Sequence, residues 1–156
     1  MSDLIHKNKT FPRQEGVYAN PYDSNENKTE TRVWRDLEIG YKAPETAKTG
    51  TYIDKNCPFT GTINVRGRVF KGQVYKAKQE NTIVVIKRYL HYIPKYKRYE
   101  RRNTKYSVHL SPCFFGMVNV GDTVVCGETR PISKTKRYVV IATVSNPSKG
   151  GKYKVL

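Results

Sequence analysis

The sequence predicts an all-β fold: a small five-stranded barrel with a long basic loop, preceded by an extended N-terminal extension containing at most short helices. Three observations lead there. About five apolar, β-branched runs lie within residues 62–145, separated by turns rich in Gly, Pro and Asn. That span holds almost no helix-like periodicity. The most basic stretch, residues 87–106, falls between two of the runs rather than inside one.

Taken in order, residues 1–31 are rich in Asn, Lys, Thr, Glu and Pro, with scattered aromatics (Phe11, Tyr18, Tyr22). They hold too little apolar surface to fold alone, so an extended tail that orders against a partner is expected. Residues 32–61 are denser in large side chains (Val33, Trp34, Leu37, Ile39, Tyr41) and read as an extension packed on the barrel. Trp34 is expected to anchor on the domain's own surface. Ala43 to Gly50 predicts one or two helical turns. Pro44 suits the first turn, Glu45 the positive helix end and Gly50 the stop. Cys57-Pro58-Phe59-Thr60-Gly61 reads as a turn.

From Thr62 the pattern becomes strand-like. Ile63, Val65 and Val69 fall on one parity, and Asn64, Arg66 and Arg68 on the other. The apolar parity then changes, to Phe70 and Val74, as a bulge at Gly67 or Gly72 would produce. Thr82–Tyr89 and Tyr106–Leu110 predict the next two strands. Gly121-Asp122 between two apolar runs is a hairpin cue. Arg137–Val144 is apolar on both parities, which predicts a central strand. Residues 62–145 thus form the barrel and residues 146–156 a basic C-terminal tail. Five strands suit an OB-fold, a Greek-key barrel that commonly binds oligonucleotides. An SH3-like barrel has a similar strand count, and strand order cannot be read from the pattern.

The charge is concentrated. The chain carries 29 Lys and Arg against 13 Asp and Glu, a formal +16. Residues 1–60 hold nine of each sign, so the whole excess belongs to residues 61–156. The partner this predicts is RNA or DNA rather than an acidic protein. A membrane surface is disfavoured, because no basic amphipathic helix is visible. The longest aliphatic runs are about four residues, against the ~20 needed to span a bilayer. With no apolar signal core in the first 30 residues, an intracellular, soluble protein is expected. Cys57, Cys113 and Cys126 form no CxxC pair, and His6, His91 and His109 form no cluster with them. No metal, no cofactor and three reduced thiols are therefore expected. Only Glu80, Glu100, Asp122 and Glu128 are acidic after residue 60, without suggestive spacing, so no catalysis is expected.

Residues 87–106 contain eight Lys or Arg, five Tyr and one acid. Arg88, Lys95, Lys97, Arg98, Arg101, Arg102 and Lys105 are candidate phosphate contacts, and Tyr92, Tyr96 and Tyr99 candidate stacking rings. Like charges this dense repel, and Pro94 interrupts any regular element, so a loop disordered until RNA arrives is expected. A second constellation, Arg130, Ser133, Lys134, Lys136 and Arg137 around Pro131, suits a phosphate clamp. Arg66, Arg68 and Lys71 form a third candidate group.

Gly121-Asp122, Val124, Glu128 and Arg130-Pro131-Ile132-Ser133-Lys134 resemble the signature of a known family. It is small-subunit ribosomal protein seventeen of bacteria, called protein eleven in eukaryotic cytosolic ribosomes. Cys126 stands where an aliphatic residue is usual, a small change because cysteine packs as a small hydrophobe. Gly50 to Gly61 and Tyr89 to Tyr96 resemble the eukaryotic branch. The resemblance covers roughly residues 33–145 and is weak before residue 32. It implies an OB barrel that is a structural constituent of the small subunit, binds the 5′ domain of its RNA and supports assembly and translation. It also implies an N-terminal extension reaching RNA and neighbouring ribosomal proteins, a cytosolic location with assembly in the nucleus or nucleolus, and no small-molecule substrate. The alternative is a single-strand-binding OB module such as a translation factor or RNA chaperone. Such a module should carry aromatics on strand faces at period two.

Overall fold

Each apolar run needs a surface to cover it, and the strands meet that need by closing on themselves. The computed structural model describes residues 33–144; the tails read at 1–31 and 146–156 lie outside the described residues. Strands β1 (Val69–Gln79), β2 (Thr82–Ile93), β3 (Arg98–His109), β4 (Thr123–Glu128) and β5 (Lys136–Val144) form a closed barrel in the order β1-β2-β3-β5-β4. Every pairing is antiparallel except β3 with β5. Passing between opposed residues from Val69 through Gly127, Val139, His109 and Thr82 leads to Gln79, ten residues further along β1. A closed sheet must stagger in this way, with its strands tilted. Order and closure make it an OB-fold.

The interior is filled by one face of the sheet, where Ile83, Val85, Val108, Val124, Cys126 and Val140 have at most 1% of their surface exposed. β5 is buried on its other face too, at Val139 opposite Gly127. Gly72 lies opposite this packing, where a Cβ would come 2.4 Å from a Val85 methyl. All three cysteines are free and buried. Burial pushes the Cys126 thiol up to about 12. A hydrogen bond to Cys57, and then burial, raises that of Cys113.

Two expected strand segments are absent, the front of the first strand and the run before Gly121. Residues 62–66 are irregular, although Ile63 is fully buried. The change of face falls at Gly67 (φ +92°), outside any strand: the Arg66 N–H donates to the Glu128 carbonyl and the Glu128 N–H to the Arg68 carbonyl, each at 2.9 Å. Residues 118–120 are not a strand either. Instead of turning a hairpin, Gly121 (φ +94°) and Asp122 stitch the loop to β1. The Gly121 N–H donates to the Val74 carbonyl (2.9 Å) and the Val74 N–H to the Asp122 carbonyl (2.8 Å).

The extension closes the far end of the barrel. Helix α1 (Glu45–Thr49) follows Pro44 and stops at Gly50, where a Cβ would sit 2.4 Å from the Thr46 carbonyl oxygen. Ala47 is fully buried, and the Thr46 hydroxyl donates to the Cys113 carbonyl at 2.7 Å. Phe59 meets Phe114 edge-on at 6.1 Å. The Asp54 carboxylate lies 2.7 Å from His109 Nε2, at the end of β3. Trp34 carries the Lys48 ammonium 4.8 Å above its ring.

Candidate nucleic-acid interface

The basic stretch expected to be a loop is a β-ribbon. The β2–β3 register runs unbroken from Thr82 opposite His109 to Ile93 opposite Arg98. Only a 3-10 turn, Pro94–Tyr96, and Lys97 in the left-handed region (φ 49°) stand outside it. The physical reason lies in the pairing. Lys87 faces Thr104, Arg88 faces Asn103, Arg102 faces Tyr89, Arg101 faces Leu90, Arg98 faces Ile93 and Lys105 faces Ile86. No cation of the ladder opposes another, so the directly destabilising like-charge pair never forms. Pro94, lacking a donor, sits where no ladder bond is needed.

Strand alternation then divides the ribbon into two faces. Arg88, Leu90 and Tyr92 share one with Asn103, Arg101 and Tyr99, and the Tyr92 and Tyr99 rings touch with centroids 5.1 Å apart. Lys87, Tyr89, His91 and Ile93 share the other with Thr104, Arg102, Glu100 and Arg98. Tyr89 and Tyr92 therefore fall on opposite faces, and no single-face row of stacking rings arises.

The candidate cations differ in what holds them. Arg88 donates to the Gln73 side chain at 2.7 Å, Arg102 pairs with Glu100, Lys105 lies 4.8 Å over Tyr75, and Lys95 lies 5.2 Å over Tyr96. Among the described residues, Lys97, Arg98 and Arg101 are exposed and engage no acid.

The second constellation is a tight turn between β4 and β5. The Ile132 N–H donates to the Lys136 carbonyl (2.9 Å), and the Ser133 hydroxyl oxygen accepts from the Lys136 N–H (3.1 Å). Ser133 thereby shapes the turn. Lys136 leaves the cluster: its ammonium reaches over β3 to the Thr82 hydroxyl at 3.1 Å. Arg130, Lys134 and Arg137 project into solvent.

The third group adjoins the second. Arg66 and Arg68 flank Gly67 against Glu128, two residues before Arg130, while Lys71 is exposed on β1. An aromatic cluster joins these groups to the ribbon. Phe70, Tyr106 and Tyr138 lie within 4.8–5.2 Å of one another, and the Lys87 ammonium stands 5.6 Å over Phe70. Burial, with the Glu128 carboxylate nearby, raises the Tyr138 hydroxyl above the ordinary phenol range. All three basic groups thus surround one mouth of the barrel.

Sequence reading overlooked Leu90, Tyr89 and Asn103. With Arg88, Arg101 and Arg102 they line a groove of about 470 Å³. The signal was present as alternation continuing beyond Tyr89, masked by the cations. Among the described residues no acidic, His or Cys cluster could hold a metal ion, and no helix is long and apolar enough to cross a membrane.

Two family models match in succession: Ribosomal protein S17 over residues 72–142, and its N-terminal part over residues 6–70. The chain belongs to the ribosomal protein S17 family. It is 40% identical over 149 residues to a Candida albicans protein named small ribosomal subunit protein uS17, covering 96% of this chain and 94% of that one. The likeness starts at residue 6, well before residue 32, where resemblance read from the sequence alone faded. The seam between the two models falls at the start of β1.

Proposed function

We propose that this chain is a structural constituent of the small ribosomal subunit in cytosolic ribosomes, incorporated during nuclear assembly. It holds the 5′ domain of small-subunit RNA by its phosphates. One observation carries this reading: three basic groups surround a single barrel mouth, on a rigid scaffold that sets the angle between ribbon and turn. Arg66, Arg68, Lys71, Arg88, Lys95, Lys97, Arg98, Arg101, Arg130, Lys134 and Arg137 make the phosphate contacts. Tyr96 and Tyr99, 62% and 67% exposed, offer rings to ribose or bases. Side chains cannot read the deep groove of an RNA duplex, so recognition goes by shape, backbone and 2′-hydroxyls. The extension, which carries none of the charge excess, faces neighbouring ribosomal proteins.

The test is the salt dependence of binding to a transcript of the 5′ domain, beside single-stranded RNA of equal length. About ten phosphate contacts give a log–log slope of about −7 to −9. Tight, steep binding to the folded transcript with weak binding to the strand is the expected result. Equal affinity for both overturns it in favour of a single-strand module.

A further inference from the structure

We infer that the ribbon groove takes one unstacked nucleotide of the bound RNA and reads its base. The inference rests on the function proposed above and adds sequence readout to phosphate contact. A leucine and a neutral amide separate the arm's arginines across the ladder, and both can also meet a base, which phosphate contact alone does not need. Here they stand in register: Arg88 opposite Asn103 and Leu90 opposite Arg101, four side chains on one face. Leu90 is 64% exposed, an apolar floor on which a base can rest. The Asn103 amide makes no hydrogen bond among the described residues. It offers two donors and an acceptor, so it can distinguish base edges, whereas a guanidinium only donates. Arg88 is already held by Gln73 at 2.7 Å, and Arg101 stands free beside it, two donors set for the nucleotide's phosphate. The groove holds about 470 Å³ and is open to solvent along the ribbon.

Base contacts and phosphate contacts separate in a salt titration, because only the latter release counterions. Binding of the 5′-domain transcript is measured for Leu90→Ala, Asn103→Ala and Arg101→Gln across a range of salt. Leu90→Ala and Asn103→Ala are expected to weaken binding about tenfold, with the wild-type slope retained. Arg101→Gln is expected to weaken it and to flatten the slope by about 0.7–0.9. Wild-type affinity in both neutral variants overturns the inference and leaves the groove to a protein neighbour. A flattened slope in either neutral variant also overturns it, since the effect then comes from displaced cations. Failure of the wild-type protein to prefer the folded transcript overturns the proposed function itself, and is seen before any variant is compared.

Discussion

Strands β2 and β3 each contain two different structures. Residues 82–86 and 105–109 belong to the barrel, whereas residues 87–93 and 98–104 form a ribbon that stands clear of it. The ladder is continuous through both halves. In the first half Ile83, Val85 and Val108 are almost wholly buried; in the second Leu90, Tyr92 and Tyr99 are 64%, 44% and 67% exposed. A lone two-stranded hairpin is marginal in water. This one is anchored at its root by the barrel and keeps its cations apart across the ladder. A polyelectrolyte segment can thus hold regular structure when its charges are opposed by neutral partners. What such a segment lacks is a core, and that leaves its side chains available to a ligand.

Hydrogen exchange of the free protein gives the largest expected contrast. Amides of residues 82–86 and 105–109 should open only with global unfolding, about 5–15 kcal/mol for a domain. Protection should then decline along the ribbon toward Pro94–Tyr96. Loss of all protection across residues 87–104 would erase the comparison and restore a loop that only RNA orders.

Truncating one side chain in each half sharpens it. Ile83→Ala leaves a cavity in the barrel and should cost about 2–5 kcal/mol in denaturant titrations. Leu90→Ala, seven residues along the same strand, should stay within about 0.5 kcal/mol. Equal costs would mean that the ribbon is packed in the free protein after all.

A smaller effect is expected at Gly67, where φ is +92° and an added Cβ would lie 3.1 Å from a Glu128 carboxylate oxygen. Gly67→Ala should cost about 1–2 kcal/mol from the backbone conformation alone. It should also move Arg66 and Arg68 relative to the turn at Arg130. A thermal melt unchanged from wild type would show that this junction yields freely.

Much of the barrel was legible in the sequence. The runs around Phe70, Ile83, Val108, Val124 and Val139 each became a strand, and the short helix lies where Pro44 and Gly50 bracket it. The failures have one cause. Gly121-Asp122 carries the local marks of a hairpin, yet its hydrogen bonds go to Val74, which no local pattern reveals. Ser133 and Lys136 stay candidates for the phosphate clamp; what no local pattern revealed is that one shapes the turn and the other reaches Thr82. Their exposed neighbours Arg130, Lys134 and Arg137 keep the cationic character read from that segment.

The sequence by itself determined an all-β chain, a charge excess confined to residues 61–156 and membership of its family. These are properties of composition, alternation and ordered motifs, which lie along the chain. Only the tertiary structure decided that the basic stretch is a ribbon, that three separated basic groups share one barrel mouth, and which cations are free. Those outcomes depend on which residue stands opposite which, and cross-strand partnership is set by the closure and stagger of the whole barrel.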